Sequence, residues 1–292
     1  MIPRINLPDG ETVPVIGQSV AGWRGEDPDA AIAALQAGLD LGMNLVLLGP
    51  DPTGAERGLL ARALGAGRDR VFVAASLPGR PDAPDAPGGL RAACLALLAG
   101  LRTDRIDLLL LGHPPTGAPA PSPRAAVEAL EALRDEGLIR HWGVDGLPAA
   151  AMVALSEAGG WRCAAGRLRY SLAHRAPEAG GLGWLREQAI PAFAAAPLDG
   201  GALARHPGLA RVAADFGLSA AQLALAWLVN RQGVVALPRA LRAGHVRANR
   251  AALDAGLTPE AMEELDHLFA GFAPGPPPPA GAEGRPALVH HP

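Results

Sequence analysis

Leu101-Arg-Thr-Asp-Arg-Ile-Asp-Leu-Leu-Leu-Leu111 is the stretch on which the fold turns. Its polar centre separates an apolar helical run, Leu90 to Leu101, from a strand, Asp107 to Leu111, that carries four leucines in a row. A strand with one wet face alternates polar and apolar residues. Four consecutive leucines need apolar cover on both faces, which is the condition of a parallel strand between a filled interior and a layer of helices. Beyond it, Arg124 to Glu136 reads as a helix, with Ser122 placed to cap it and Gly137 to stop it.

The same β-then-α alternation runs outward in both directions. Upstream, residues 2–7 and 12–17 flank Asp9-Gly10, a hairpin signal, and a barrel strand is expected to begin at Val13-Pro-Val-Ile-Gly17. Next come a helix from Asp29 to Leu41 with Ile32, Leu35 and Leu39 on one face, a strand from Asn44 to Leu48, a helix from Glu56 to Leu64 and a strand from Val71 to Ala75. Downstream, strands are expected at His141 to Val144, Ala164 to Leu168, Ile190 to Ala195 and Val234 to Pro238. Helices are expected at Pro148 to Ala158, Leu182 to Gln188, Pro207 to Phe216, Ala220 to Val229, His245 to Leu253 and Pro259 to Phe269, the last capped by Thr258. Eight such units predict an α/β fold, a (β/α)8 TIM barrel with an N-terminal β-hairpin. The competing doubly wound sheet lacks a G-x-G-x-x-G after its first strand. Residues 1–271 are assigned to the barrel and 272–292 to a Pro/Gly-rich flexible tail, because APGPPPPAGAEGRP from Ala273 suits neither helix nor sheet. His290 and His291 close that tail and are read as tail, not as a metal site.

Composition removes several chemistries. All 26 Lys+Arg residues are arginine, so no lysine can form a Schiff base, hold a phosphate or set a neighbour's ionisation, and arginine does not shuttle protons in its place. The net charge of −3 and pI near 6.2 give no general case for nucleic acid or an anionic membrane. Cys94 and Cys163 match no metal spacing and are expected as buried free thiols. No apolar run approaches the ~20 residues of a membrane span, and the N-terminus has no apolar signal core, so a cytoplasmic protein is expected.

Several stretches, in order, resemble the aldo/keto reductase family. They are Val13 to Gly17, Gly38-Leu-Asp-Leu-Gly-Met-Asn44, Leu101 to Leu111, Gly137-Leu-Ile-Arg-His-Trp-Gly-Val144, Pro197-Leu198, Leu237-Pro-Arg-Ala240 and His245-Val-Arg-Ala-Asn249. The resemblance implies a monomeric barrel, an NADP(H) cofactor and carbonyl reduction by an Asp, Tyr, Lys and His acting together. Carried over position by position, the aspartate falls on Leu47, the tyrosine on Pro52 or Asp51, the lysine on Ser76 and the histidine on Gly112, with His113 one residue late. None of the four residue types is kept. The family's nicotinamide-carboxamide grip reads Asp145, Gly146 and Arg167, and its stacking tyrosine reads Ala195. Tyr170 matches no functional tyrosine and is read as packing.

The phosphate end is better kept: Arg239, Arg242, Arg247 and Asn249 fall on positions that bind the cofactor's phosphate and adenine, while the family's glutamate reads Ala248. Asp145 and Arg167 are expected to pair at the tops of neighbouring strands, and Asp199 to lie near the cofactor position. Three readings remain open. The first is a degenerate family member with residual binding of NADP(H), another nucleotide or a small molecule at the barrel mouth. The second is a barrel enzyme with new chemistry from Asp51, Ser76, His113, Asp145 and Arg167, a metal on Asp51, His113 and Asp145 being its least favoured form. The third is an NADPH reductase using Asp51 or His113 as a substitute acid. The Pro-rich segments 78–87 and 114–123 are read as linkers, with partner docking as their alternative role.

Overall fold

The computed structural model describes residues 1–23, 27–50, 53–78, 89–114 and 121–270. Asp51, Pro52, most of both Pro-rich segments, and the tail with His290 and His291 lie outside them.

The chain opens with an antiparallel hairpin, β1 (Arg4–Asn6) and β2 (Thr12–Pro14), in which Ile5 faces Val13. Eight strands then lie parallel and in chain order: β3 (Gln18–Ser19), β4 (Leu45–Pro50), β5 (Phe72–Pro78), β6 (Ile106–Gly112), β7 (Ile139–Asp145), β8 (Cys163–Arg169), β9 (Ala192–Ala195) and β10 (Val234–Ala236). The two ends of the sheet meet. Gly17 N–H donates to Ala236 O at 2.9 Å, Ala236 N–H to Val15 O at 2.9 Å and Ser19 N–H to Pro238 O at 3.1 Å. Among the described residues ten α-helices accompany the strands: α1 (Pro28–Asp40), α2 (Gly54–Leu64), α3 (Leu90–Leu101), α4 (Pro123–Asp135), α5 (Ala149–Glu157), α6 (Gly181–Glu187), α7 (Pro207–Asp215), α8 (Ala220–Val229), α9 (Ala243–Ala251) and α10 (Pro259–Leu268).

One expected boundary is corrected. Val13 and Pro14 belong to the hairpin, not to the first barrel strand. Their pairing partners are in β1, and the chain joins the barrel only at Ile16, which bridges to Ala236. Strand β10 is shorter than expected because Pro238 has no N–H to give to a ladder.

The four leucines of β6 divide as a doubly covered strand requires. Leu108 and Leu110 point into the barrel with Leu45, Leu47, Phe193 and Val235, above a floor formed by Leu7 and Val13 of the hairpin. Leu109 and Leu111 point outward into the layer beneath the helices. Each buried leucine contributes about 1.5–3 kcal/mol. The expected caps are in place: Ser122 Oγ accepts from Ala125 N–H at 3.2 Å, and Thr258 Oγ1 from Ala261 N–H at 3.3 Å. Among the described residues no single helix is long and apolar enough to cross a membrane.

Cys94 and Cys163 are free and buried, as expected. Burial pushes the Cys163 thiol up to about 12 and the Cys94 thiol to about 11, from an ordinary 9.0. A group whose folded pKa is raised contributes stability that is whole below the unfolded value and lost as pH rises through the window between the two. Unfolding free energy should therefore hold up to about pH 9 and then fall, at no more than about 1.4 kcal/mol per pH unit for each thiol. Denaturant titrations at pH 8 and pH 10 check this, and replacing both thiols by alanine should flatten the alkaline limb.

Candidate active site

The alternation that fills the barrel also builds its mouth. Above Leu45 to Phe193, the next inward positions are Ser76 on β5, Gly112 on β6, Asp145 on β7, Arg167 on β8 and Ala195 on β9. Parallel neighbours put their C-terminal ends side by side, the usual place for chemistry in such barrels. Gly143 lets β7 lie close to β8, since a Cβ there would stand 2.2 Å from Ala165 O.

Three of these side chains form one buried unit. Arg167 Nη1 donates to Asp145 Oδ1 at 2.7 Å, the pair expected from the sequence. Ser76 Oγ–H donates to Asp145 Oδ2. Their exposures are 0% for Ser76, 7% for Asp145 and 8% for Arg167, so these charges act on one another largely without water between them. Ser76 and Asp145 are two strands apart. Gly112 stands between them, and a Cβ there would lie 3.7 Å from Ser76 Oγ and 3.8 Å from Asp145 Cβ. Those are ordinary contacts, so a methyl group would fit, whereas a longer side chain would cross the path of the Ser76–Asp145 bond.

Around this unit the other named residues are scattered. Leu47 is buried in the apolar interior. His113 is exposed at the rim, with Nε2 2.9 Å from Gly146 O. Gly146 N–H in turn donates to Arg167 O at 2.8 Å, which ties the rim of β7 to β8. Ala195 is buried and offers no ring. Tyr170 is a packing residue, as read: it lies against Trp227 with centroids 5.6 Å apart, and its hydroxyl donates to Glu178 at 2.7 Å. Burial, with Glu178 adding to it, pushes the Tyr170 phenol well above its ordinary value.

The second half of the mouth is cationic. Arg239 Nη1 donates to Gly22 O at 3.0 Å. Gly22 is held from its other side too, because its N–H donates to Glu56 Oε1 at 2.5 Å. Glu56 also closes a capping box with Thr53 at the start of α2. This tether is not among the expectations from sequence: Thr53-x-x-Glu56 is the signature of the capping box, not of the long-range contact with Gly22. Arg242 and Arg247 are exposed and pair with no carboxylate among the described residues. Arg242 stands at the N-cap of α9, where no side chain caps the first turn; His245 N–H donates to Arg242 O at 3.0 Å, which leaves the N–H groups of Ala243 and Gly244 for an anion. Asn249 is buried on the same helix. Across the rim, Arg169 Nη2 donates to Asp199 Oδ1 at 2.7 Å. Asp199, Gly200 and Gly201 form a run of positive-φ backbone, at φ 47°, 62° and 88°, and Ala196 shortly before them has φ 51°. For the two non-glycine residues that conformation costs about 1–2 kcal/mol each.

The chain matches the profile of the Aldo/keto reductase family over residues 15–270. It is 34% identical over 272 residues to methylglyoxal reductase YeaE of Escherichia coli (strain K12), an alignment covering 88% of this chain and 92% of that one. To pyridoxine 4-dehydrogenase of the same organism it is 27% identical over 259 residues, covering 83% and 87%. Among solved structures, an aldo/keto reductase from Klebsiella pneumoniae in complex with NADP and acetate superposes with a TM-score of 0.83 at 31% identity, covering 92% of this chain and 96% of that one.

Proposed function

This chain belongs to the aldo/keto reductase family, and from that premise we propose that it is a catalytically degenerate member whose barrel mouth keeps a weak NADP(H) or related nucleotide site. What carries this reading is the Ser76–Asp145–Arg167 unit. At the positions where the family would hold a lysine and grip the nicotinamide carboxamide, the polar groups of this chain are spent on one another.

The two ends of the cofactor fit differently. At the phosphate end, Arg239, Arg242 and Arg247 supply guanidinium forks and α9 supplies open N–H groups, both suited to a phosphate; Asn249 is the residue for the adenine. At the nicotinamide end the residues do not fit. Receiving a carboxamide would mean breaking the buried 2.7 Å bond between Arg167 and Asp145, and Ala195 gives no stacking surface. The mouth thus offers an anchor for the phosphate and no grip on the ring.

An NADPH titration read by thermal unfolding tests this. At about 100 times its Kd, a ligand adds about 2.7 kcal/mol to stability. We expect a rise in Tm at millimolar NADPH that is lost in Arg239→Ala and in Arg242→Ala, with no consumption of cofactor when methylglyoxal is added. Absence of any rise would remove the nucleotide site from the proposal. One observation favours a second reading, an NADPH reductase with a substitute acid: His113 is exposed at the rim. That reading requires turnover abolished by His113→Ala.

A further inference from the structure

At the opposite end of the barrel from the mouth, the hairpin turn brings Asp9 and Glu11 against His141 of β7. One carboxylate oxygen from each acid and one ring nitrogen of the histidine lie within 4.8 Å of one another. We propose that these three residues bind a divalent first-row transition metal of the zinc class, fastening the hairpin to the barrel floor. The proposal is independent of the nucleotide reading.

The geometry is partly built before any cation arrives. Glu11 N–H donates to Asp9 Oδ1 at 3.1 Å, so the turn holds both carboxylates on the side of His141. His141 Nδ1 is 3.3 Å from Asp9 Oδ2, and Nε2 is 2.6 Å from Glu11 Oε2. The two acids approach different ring nitrogens, so an ion with bonds of about 2.0–2.2 Å takes one of them and draws the other acid across by a swing of the exposed turn. The ring is oriented by Phe72, with centroids 6.1 Å apart and planes 18° from parallel. Arg140 reaches both Glu11 at 2.8 Å and Asp107 at 3.1 Å, and Asp107 also takes Arg68 at 2.7 Å. Arg134 and Arg162, the other guanidiniums nearby, are both paired with Glu131, so among the described residues Asp9 has no guanidinium partner and is open to a cation. One imidazole with two carboxylates is the donor set of borderline divalent metals, not of calcium or magnesium. Asp9 and His141 also line a cleft of about 430 Å³ beside Trp161 and Arg162, which admits the water that completes the coordination.

The test uses metal-free full-length protein carrying His290→Ala and His291→Ala, so that the terminal histidines contribute nothing. Titrated Co2+ should give the intense visible absorption of a four- or five-coordinate ion, Zn2+ should abolish it, and Zn2+ at about 100 times its Kd should raise Tm by about 5 °C. Asp9→Asn and His141→Gln should each weaken binding at least tenfold. Asp9→Asn changes an exposed turn residue, so it reports even if His141→Gln fails to fold. No cobalt spectrum and no Tm shift in the parent, or unchanged affinity in Asp9→Asn, overturns the proposal.

Discussion

Supplied with NADPH and a panel of aldehydes and 2-oxoaldehydes, this protein should oxidise cofactor at least about 10⁴-fold more slowly than a family member with its Asp, Tyr, Lys and His intact. A positioned general acid alone contributes about 10²–10⁴-fold, and residues that act as a unit lose nearly everything when one member goes. Here the positions carry Leu47, buried in hydrocarbon; Ser76, hydrogen-bonded to Asp145; and Gly112, with no side chain; Pro52 lies outside the described residues. The chain's single tyrosine cannot step in. Tyr170 is buried against Trp227, bonded to Glu178, and its phenol is pushed away from proton transfer near neutral pH. For the same reason, restoring Gly112→His alone should not recover turnover. Steady-state loss of the reduced cofactor's absorbance, beside an intact relative, measures the ratio.

Asp145→Ala should cost about 3–5 kcal/mol of unfolding free energy, the range for removing one partner of a buried ion pair. The loss exceeds the Coulomb attraction itself, because Asp145 accepts buried hydrogen bonds from both Ser76 and Arg167, and both go with it. An exposed pair sets the scale: Arg124 and Glu128 lie 2.8 Å apart on α4, yet Arg124→Ala should cost no more than about 0.5 kcal/mol. The double variant Asp145→Ser/Arg167→Gln, which removes both charges together, should recover at least half of the loss. Urea unfolding of the two singles and the double, read as a double-mutant cycle, gives the coupling. A coupling under about 0.5 kcal/mol would show that the pair is not a unit.

Which parts of this molecule can be read in its sequence follows from how far apart the interacting residues lie. The leucines of β6 announce a strand covered on both faces, and they divide between interior and helix layer as that reading requires. Ser122 and Thr258 reach N–H groups three residues on, so their capping is local and legible. Asp145 and Arg167 can be paired from sequence because neighbouring parallel strands end side by side. Ser76 cannot be added to that pair from sequence, since its bond reaches past an intervening strand at Gly112. The start of the barrel is not legible, because Val13 and Pro14 suit hairpin and barrel equally; which partner wins is a matter of register, not of residue type. Asp9, Glu11 and His141 meet across some 130 positions, and no spacing rule connects them.

The central claim, a family barrel that has given up its chemistry, is tested most directly in a single turnover. The protein is saturated with NADPH, binding is verified by Tm, and excess aldehyde is added while the reduced cofactor is followed in time. Binding without consumption over many minutes is the predicted result. Rapid, stoichiometric oxidation of the bound cofactor would contradict it and make this chain an active reductase with a proton donor other than the family's tyrosine.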